Sequence, residues 1–387
     1  QLNPLAGATI DDINTTEGTT TLQALEDGTG IYLLQLPAGT DAAEQAGILD
    51  ADPRLAFAEP NFISQVPEAN PRGTSAWGGL DPAPITTQYA VNQIGLPQAW
   101  ALSRGQGSLV AVIDTGVQLD HPALAASFTT TGYDFIDNDN IPVDSANGTD
   151  SNQNGIPDEA VGHGTHVSGI VHLVAPAAQI MPIRALDSDG NGDVFTLARA
   201  MLYAIQNHAD VINLSLGTPD KSDLLKQIVR TATRNDIVVV AAAGNLNSSV
   251  PQYPAGDGCA ISVTAVGPMG LKSEFANYDG GVDFAASGES IYSAFPIGGY
   301  AYWSGTSMAT PFVAGQVALL HSLNPTLDPR DLVLYIGATA HSLDTLNPLF
   351  AGKLGFGLVN VGDSLNMLAS GVQPLSNRGL MGVSCVQ

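Results

Sequence analysis

Three polar residues have the types and settings that acyl-transfer chemistry needs. Asp114 closes the apolar run SLVAVID and is followed by Thr115 and Gly116, a tight exit that would hold its carboxylate at a strand end. His163 lies in GHGTHVSGI, between glycines that permit close backbone approach, with an apolar helix expected after it. Ser307 lies in SGTSMATPFVAGQVALL, at the start of a long apolar helix where free N–H groups and a positive dipole end gather. A neutral hydroxyl is a weak nucleophile. An imidazole titrating near neutrality can take its proton and return it to a leaving amine, while a carboxylate fixes the tautomer. Taken singly, the three have ordinary explanations as turn former, hydrogen-bonded histidine and helix cap. In this chain order, each inside a glycine-rich turn at an element end, they are far more specific.

Apolar runs show which elements must position them. SLVAVID, QIMPIRAL, DVINLSL, DIVVVAAAG and AISVTAV alternate with the helical stretches FTLARAMLYAIQNH and DLLKQIVRTATRN. Continuous apolar strands separated by helices predict an α/β domain, a parallel β-sheet sandwiched by helices, with ligands at the carboxyl ends of the strands. Ahead of it, IYLLQL at 31–36 predicts a strand, Ala42 to Leu49 a helix capped by Asp41, and LAFAE at 55–59 a second strand. Residues 1–66 are therefore expected to form a small α+β domain. From Pro60 to about Thr86 the composition turns to Pro, Gly, Ser, Asn and Thr, so 67–87 is expected as a linker and 88–387 as the large domain.

The 387 residues carry 37 Asp and Glu against 13 Lys and Arg, a net charge of -24. A field of that sign repels phosphate backbones and anionic lipid and attracts cations, so neither nucleic acid nor a membrane is expected as a partner. No apolar stretch approaches the roughly 18 residues of a membrane span, and the first stretch lacks the pattern of a signal peptide, so export implies a leader already removed. Cys259 and Cys385 permit one disulfide or two separate thiols.

VAVIDTGV, GHGTHVSGI and SGTSMATP resemble the three signature blocks of the subtilisin-like serine proteases. The similarity runs from about Gln88 to Asn366. It implies that Asp114, His163 and Ser307 are catalytic, that Asn245 is the oxyanion-hole donor beside the Ser307 N–H, and that His166 is structural. It also implies two substrate-binding edges, Ser215, Leu216 and Gly217 on one side and Gly190, Asn191 and Gly192 on the other, between which an extended peptide pairs as an added strand. Ala242, Ala243 and Gly244 resemble one wall of the specificity pocket, with Gln252 at its base and a cis Tyr253–Pro254 bond beside it; a neutral, large apolar side chain is expected there. The N-terminal domain, ending in LAFAEPNF, resembles the family's propeptide, which acts as an intramolecular inhibitor. Self-processing is expected between about Ser64 and Trp77.

Calcium is expected, though not where this family most often holds it. Ala123 stands where that site needs a carboxylate, and GIVHL runs directly into VAP without the loop that completes it. Between Asp134 and Glu159 the chain instead carries Asp134, Asp137, Asp139, Asp144, Asp150, Asp158 and Glu159 with no Lys or Arg. Such a cluster repels itself unless a cation neutralises it. DSNQNGIPDE places Asp150, Asn152 and Asn154 at alternate positions, then the Ile156 carbonyl, with Asp158 or Glu159 to finish an oxygen-ligand loop. DSDGNGD at 187–193 has a similar opening but Ala198 at its twelfth position, and is assigned to peptide binding.

The chain is thus identified as a member of the subtilisin-like proteases. It is expected to be a secreted, extracellular or periplasmic, calcium-stabilised monomeric endopeptidase acting on polypeptides and made as a self-processing proprotein. The rival is a noncatalytic calcium-stabilised binding protein whose cleft the prodomain occupies permanently.

Overall fold

The computed structural model describes residues 1–69 and 76–374. Seven strands form one parallel sheet in the spatial order Phe284–Ser287, Ile261–Val266, Val238–Ala242, Val211–Leu214, Leu109–Asp114, Gln179–Arg184, Tyr133–Asp134. The five apolar runs of the sequence are its inner strands, and they are almost wholly buried because helices cover both faces. The chain enters at Leu109–Asp114, goes to the edge strand Tyr133–Asp134, comes back to Gln179–Arg184, and only then crosses to Val211–Leu214. Strand order reverses around Leu109–Asp114, so a crevice opens at its carboxyl end, where Asp114 stands.

One face carries the helices His163–Val174 and Thr306–Leu323. The second is apolar around its circumference, and every residue from Thr306 to Leu320 is buried. A helix of that kind has to be surrounded. Gly315 permits one close approach, since a Cβ there would meet the Val174 side chain at 2.6 Å. The other face carries Val194–Gln206 and Asp223–Arg234, capped by Asp193 and Ser222 and packed through Leu197, Met201, Leu225 and Ile228 against Ile113, Ile212 and Val239.

In the N-terminal domain the helix forms at Ala42–Asp50 with Asp41 as its cap, and a strand at Tyr32–Gln35. LAFAE does not form the expected strand; Leu55 makes one antiparallel bridge with Leu2. Tyr32–Gln35 pairs instead with Thr20–Ala24, which follows the helix Ile10–Glu17. Both were hidden because this stretch is polar and buries little, only Ile13 within the helix. The legible signal was local: Thr9 and Asp12 form a reciprocal capping box.

Part of the expected linker forms a strand. Trp77–Gly79 pairs with Gly299–Trp303, and Trp77 stacks on Tyr302 at 4.6 Å between ring centroids. Tyr253–Pro254 is cis. Cys259 is disulfide-bonded; the chain's other cysteine, Cys385, lies outside the described residues.

Phe312, fully buried in the long helix, tests the dependence of the fold on this element. Phe312→Ala is expected to lower unfolding free energy by about 3–5 kcal/mol in urea titrations of a Ser307→Ala background, the range for emptying an aromatic site in a close-packed core.

Candidate active site

Asp114 is the last residue of its strand, and its Oδ1 accepts from the Thr115 N–H at 2.8 Å and from His163 Nδ1–H at 2.7 Å. His163 opens its helix against that strand end, and the Gly164 N–H donates to Thr115 Oγ1 at 3.0 Å. Glycine is required there because a Cβ would lie 2.1 Å from the Gly116 carbonyl oxygen. Ser307 is the second residue of Thr306–Leu323, on the helix N-terminus. Its Oγ lies 2.7 Å from Glu68 Oε2 and 3.1 Å from the Ser215 carbonyl. Glu68 Oε2 in turn lies 3.2 Å from His163 Nε2, so a carboxylate bridges the hydroxyl and the imidazole.

Asn245 faces the same point. Its Oδ1 accepts from the Thr306 N–H at 3.0 Å and the Thr306 hydroxyl at 2.9 Å, which turns Nδ2 toward Glu68 Oε1 at 2.9 Å. Thr306 and Asn277 were missed in the sequence because they act through others. Asn277 holds the turn from below, accepting from the N–H groups of Leu246 and Ser248 and donating to the Ala243 carbonyl. His166 is buried, which lowers its pKa to about 3, and its Nε2 faces the Ile291 and Ala301 carbonyls.

Between the two expected edges lies a piece of the chain itself. Ile63–Gln65 runs antiparallel to Asn191–Asp193, with Ser64 opposite Gly192 and Gln65 opposite Asn191. On the other side Gln65 and Gly217 exchange backbone hydrogen bonds at 2.8 and 2.9 Å, and the Val66 N–H donates to Gly190 at 2.9 Å. Ser215 and Leu216 are buried behind Gly217, and the Ser215 hydroxyl donates to the Ser307 carbonyl at 2.9 Å. Gln252 sits between Gly217 and the Ala242–Gly244 wall: a Cβ on Gly217 would meet its amide nitrogen at 2.3 Å, and one on Gly244 its Oε1 at 2.9 Å. The Gln252 amide thus lies against both walls of the expected pocket and donates to the Ala242 carbonyl at 3.4 Å.

The inserted tail is anchored upstream by helix ends. Glu59 accepts from the Ser222 hydroxyl and the N–H groups of Asp223 and Leu224, and Asn61 Oδ1 accepts from the Phe195 N–H. Both use the positive, donor-rich ends of the outer helices.

Burial alone would push the His163 pKa down, but Asp114 and Glu68 on either side raise it to about 10. Asp144, read from sequence only as part of the acidic stretch, is buried beneath the first turn of the His163 helix. Its Oδ1 accepts from the Gly162 N–H at 3.0 Å and its Oδ2 from the Thr165 hydroxyl at 2.9 Å. It serves as a remote cap, and burial pushes its pKa up to about 7 despite those donors.

The acidic loop at 150–159 is held by its own side chains. Asp150 accepts from the N–H groups of Asn154 and Gly155, and Glu159 Oε1 from the side-chain amides of Asn152 at 2.6 Å and Asn154 at 2.7 Å. The Asp158 carboxylate accepts from the N–H groups of Asn147 and Gly148. Among the described residues no three His, Cys, Asp or Glu side chains gather as a metal cluster. Asp150, Asp158, Glu159, the Asn152 and Asn154 amides and the Ile156 carbonyl would offer an all-oxygen donor set of the kind calcium takes. Buried Asp189 ties the loop to the cleft, accepting from the N–H groups of Ser151 and Asp158.

Residues 105–357 match the Subtilase family. Thermitase of Thermoactinomyces vulgaris is 42% identical over 252 residues, 62% of this chain and 85% of that protein. Subtilisin BL of Lederbergia lenta is 36% identical over 66% of this chain and 90% of its own length. An intracellular serine protease of Paenibacillus polymyxa is 38% identical over 62% of this chain and 75% of its own. A solved protease structure from Pseudoalteromonas arctica superposes with a TM-score of 0.67 at 30% identity, covering 75% of this chain and all but 1% of that one.

Asp144 makes stability depend on pH in a defined direction. Its raised pKa means the folded state keeps a proton that the unfolded chain releases above the ordinary value of 3.8, so this contribution is complete below that value and lost as pH rises through about 7. Asp144→Asn, which keeps an acceptor for the Gly162 N–H, is expected to flatten the fall in melting temperature across that window in a Ser307→Ala background. Parallel melting curves with and without the substitution would refute this.

Proposed function

Because the chain belongs to the subtilase family of serine proteases, we propose that it is a secreted endopeptidase, made as a precursor that processes itself, in which Ser307 is the nucleophile. The observation that carries this reading is the convergence of Asp114, His163, Ser307 and the Asn245 amide on one buried point at the end of a peptide-shaped cleft. With the cleft cleared, His163 Nε2 removes the Ser307 proton as Oγ bonds to the substrate carbonyl carbon. Asp114 holds the tautomer and stabilises the imidazolium. The oxyanion is received by Asn245 Nδ2 and the Ser307 N–H, and His163 returns the proton to the amine as the peptide C–N bond breaks. Water then attacks the acyl-enzyme by the same route. Residues 1–66 act as the prodomain, 67–87 carry the cut, and 88–387 form the peptidase; of the expected cut region, 70–75 lie outside the described residues. Backbone pairing at Gly190–Gly192 and Ser215–Gly217 gives affinity with little sequence demand, and Gln252 favours a neutral side chain of modest size. The Cys259 disulfide supports an oxidising destination.

Calcium would be held by Asp150, Asn152, Asn154, the Ile156 carbonyl, Asp158 and Glu159. There it would supply positive charge to a self-repelling loop and no chemistry to the reaction.

Ser307→Ala is expected to abolish cleavage of denatured protein and of the chain's own N-terminal segment, with kcat down about a million-fold, the size of the same loss in the related subtilisin. Asn245→Ala is expected to lower kcat by about 100- to 1000-fold, again the subtilisin magnitude, with KM little changed. Pure Ser307→Ala that still processes itself would overturn the assignment. A fluorophosphonate that never labels Ser307, even after prolonged incubation, would favour the permanently closed binding protein.

Chelation is expected to lower melting temperature and activity together, and Asp150→Ala to reproduce most of both. A chelated enzyme unchanged in both would remove calcium from the account.

A further inference from the structure

Strand pairing of the tail stops at Pro67, whose nitrogen has no hydrogen with which to continue it. The chain turns over Pro67–Ala69, and the Glu68 side chain drops into the catalytic centre. Its Oε1 meets Asn245 Nδ2 at 2.9 Å, while its Oε2 meets Ser307 Oγ at 2.7 Å and His163 Nε2 at 3.2 Å. The residue is 7% exposed, and a Cβ on Gly305 would strike the carboxylate. We propose that this side-chain carboxylate keeps the precursor latent by occupying the oxyanion position and holding His163 as an imidazolium. The inference rests on the reading of the N-terminal domain as an inhibitory prodomain.

Each contact blocks a different part of the reaction. Asn245 Nδ2, the side-chain donor meant for the developing oxyanion, is already engaged by Glu68. Ser307 gives its hydrogen to a carboxylate that cannot be acylated. Glu68 pairs with His163 from the cleft side and Asp114 from the strand side. Asp144 lies beneath the same helix turn and adds a third carboxyl to the neighbourhood, while neighbouring His166 is held neutral. An imidazole between two carboxylates keeps its proton, in keeping with a pKa of about 10. Protonated Nε2 has no lone pair with which to activate Ser307. The tail is therefore bound in an unreactive register, and Glu68 must leave the pocket before any peptide bond of the tail can be cut.

The test uses the full chain. Freshly refolded wild type, Glu68→Gln and Glu68→Ala precursors are treated with a fluorophosphonate, and labelling of Ser307 is timed against self-processed enzyme. Loss of charge-assisted hydrogen bonds should make both variants label about tenfold faster than wild-type precursor, or more. In parallel, nitrogen-15 histidine spectra of Ser307→Ala and Ser307→Ala/Glu68→Gln are followed with pH. Removing the carboxylate charge should lower the His163 titration by about 1–3 pH units, a shift that a merely structural Glu68 would not produce. Slow labelling in all three precursors with an unmoved His163 titration overturns the role of Glu68 while leaving the tail in the cleft. Wild-type precursor labelling as fast as processed enzyme means that the tail is not seated, which defeats the prodomain reading itself.

Discussion

A helix that is apolar on every side cannot lie on a surface, and much of this molecule follows from burying one. Thr306–Leu323 is enclosed by the sheet, by the His163 helix and by the C-terminal helix Val361–Ala369. Its N-terminus must then emerge where the strands end. There it meets Asp114 at the point of reversed strand order, His163 from the neighbouring helix and Asn245 from the turn after Val238–Ala242. The core thus delivers a hydroxyl on the donor-rich end of a helix to a carboxylate and an imidazole. Thr306 completes the fit by spending its N–H and hydroxyl on one oxygen of Asn245, which fixes where the amide nitrogen points.

Electrostatics in this pocket are governed by scarcity of positive charge. Asp114, Asp144 and Glu68 are buried near one another, and the titratable group between two of them is His163. Each carboxyl meets burial differently: Asp114 with the imidazole, Asp144 with a helix N-terminus, Glu68 with the donors of the oxyanion site. The protonation of one histidine therefore depends on what occupies the cleft.

The parallel sheet and its covering helices were legible because their strands are continuous apolar runs, SLVAVID and DIVVVAAAG above all. The aspartate, histidine and serine were legible because each stands at the end of such a run or the start of an apolar helix. Glu68 was not, since nothing local distinguishes a glutamate in a proline-rich stretch; its contacts are with residues 95, 177 and 239 positions away. Thr20–Ala24 escaped for a different reason, being a polar strand with four exposed or half-exposed neighbours in its pairing register. The Asp150 loop shows a third case: its turns follow from Asx side chains binding their own backbone, which is local, whereas the direction taken by Asp158 depends on a loop eleven residues back.

The two lips of the cleft are built from different materials. Ser215–Gly217 continues the buried strand Val211–Leu214 and is tied through Ser215 to the Ser307 carbonyl. Gly190–Gly192 is suspended from turns at Asp187 and Asp189, and Asp189 also grips the acidic loop. The two edges that pair with the tail are therefore held by different kinds of contact, sheet backbone and the Ser307 helix on one side, aspartate side chains gripping backbone N–H groups on the other.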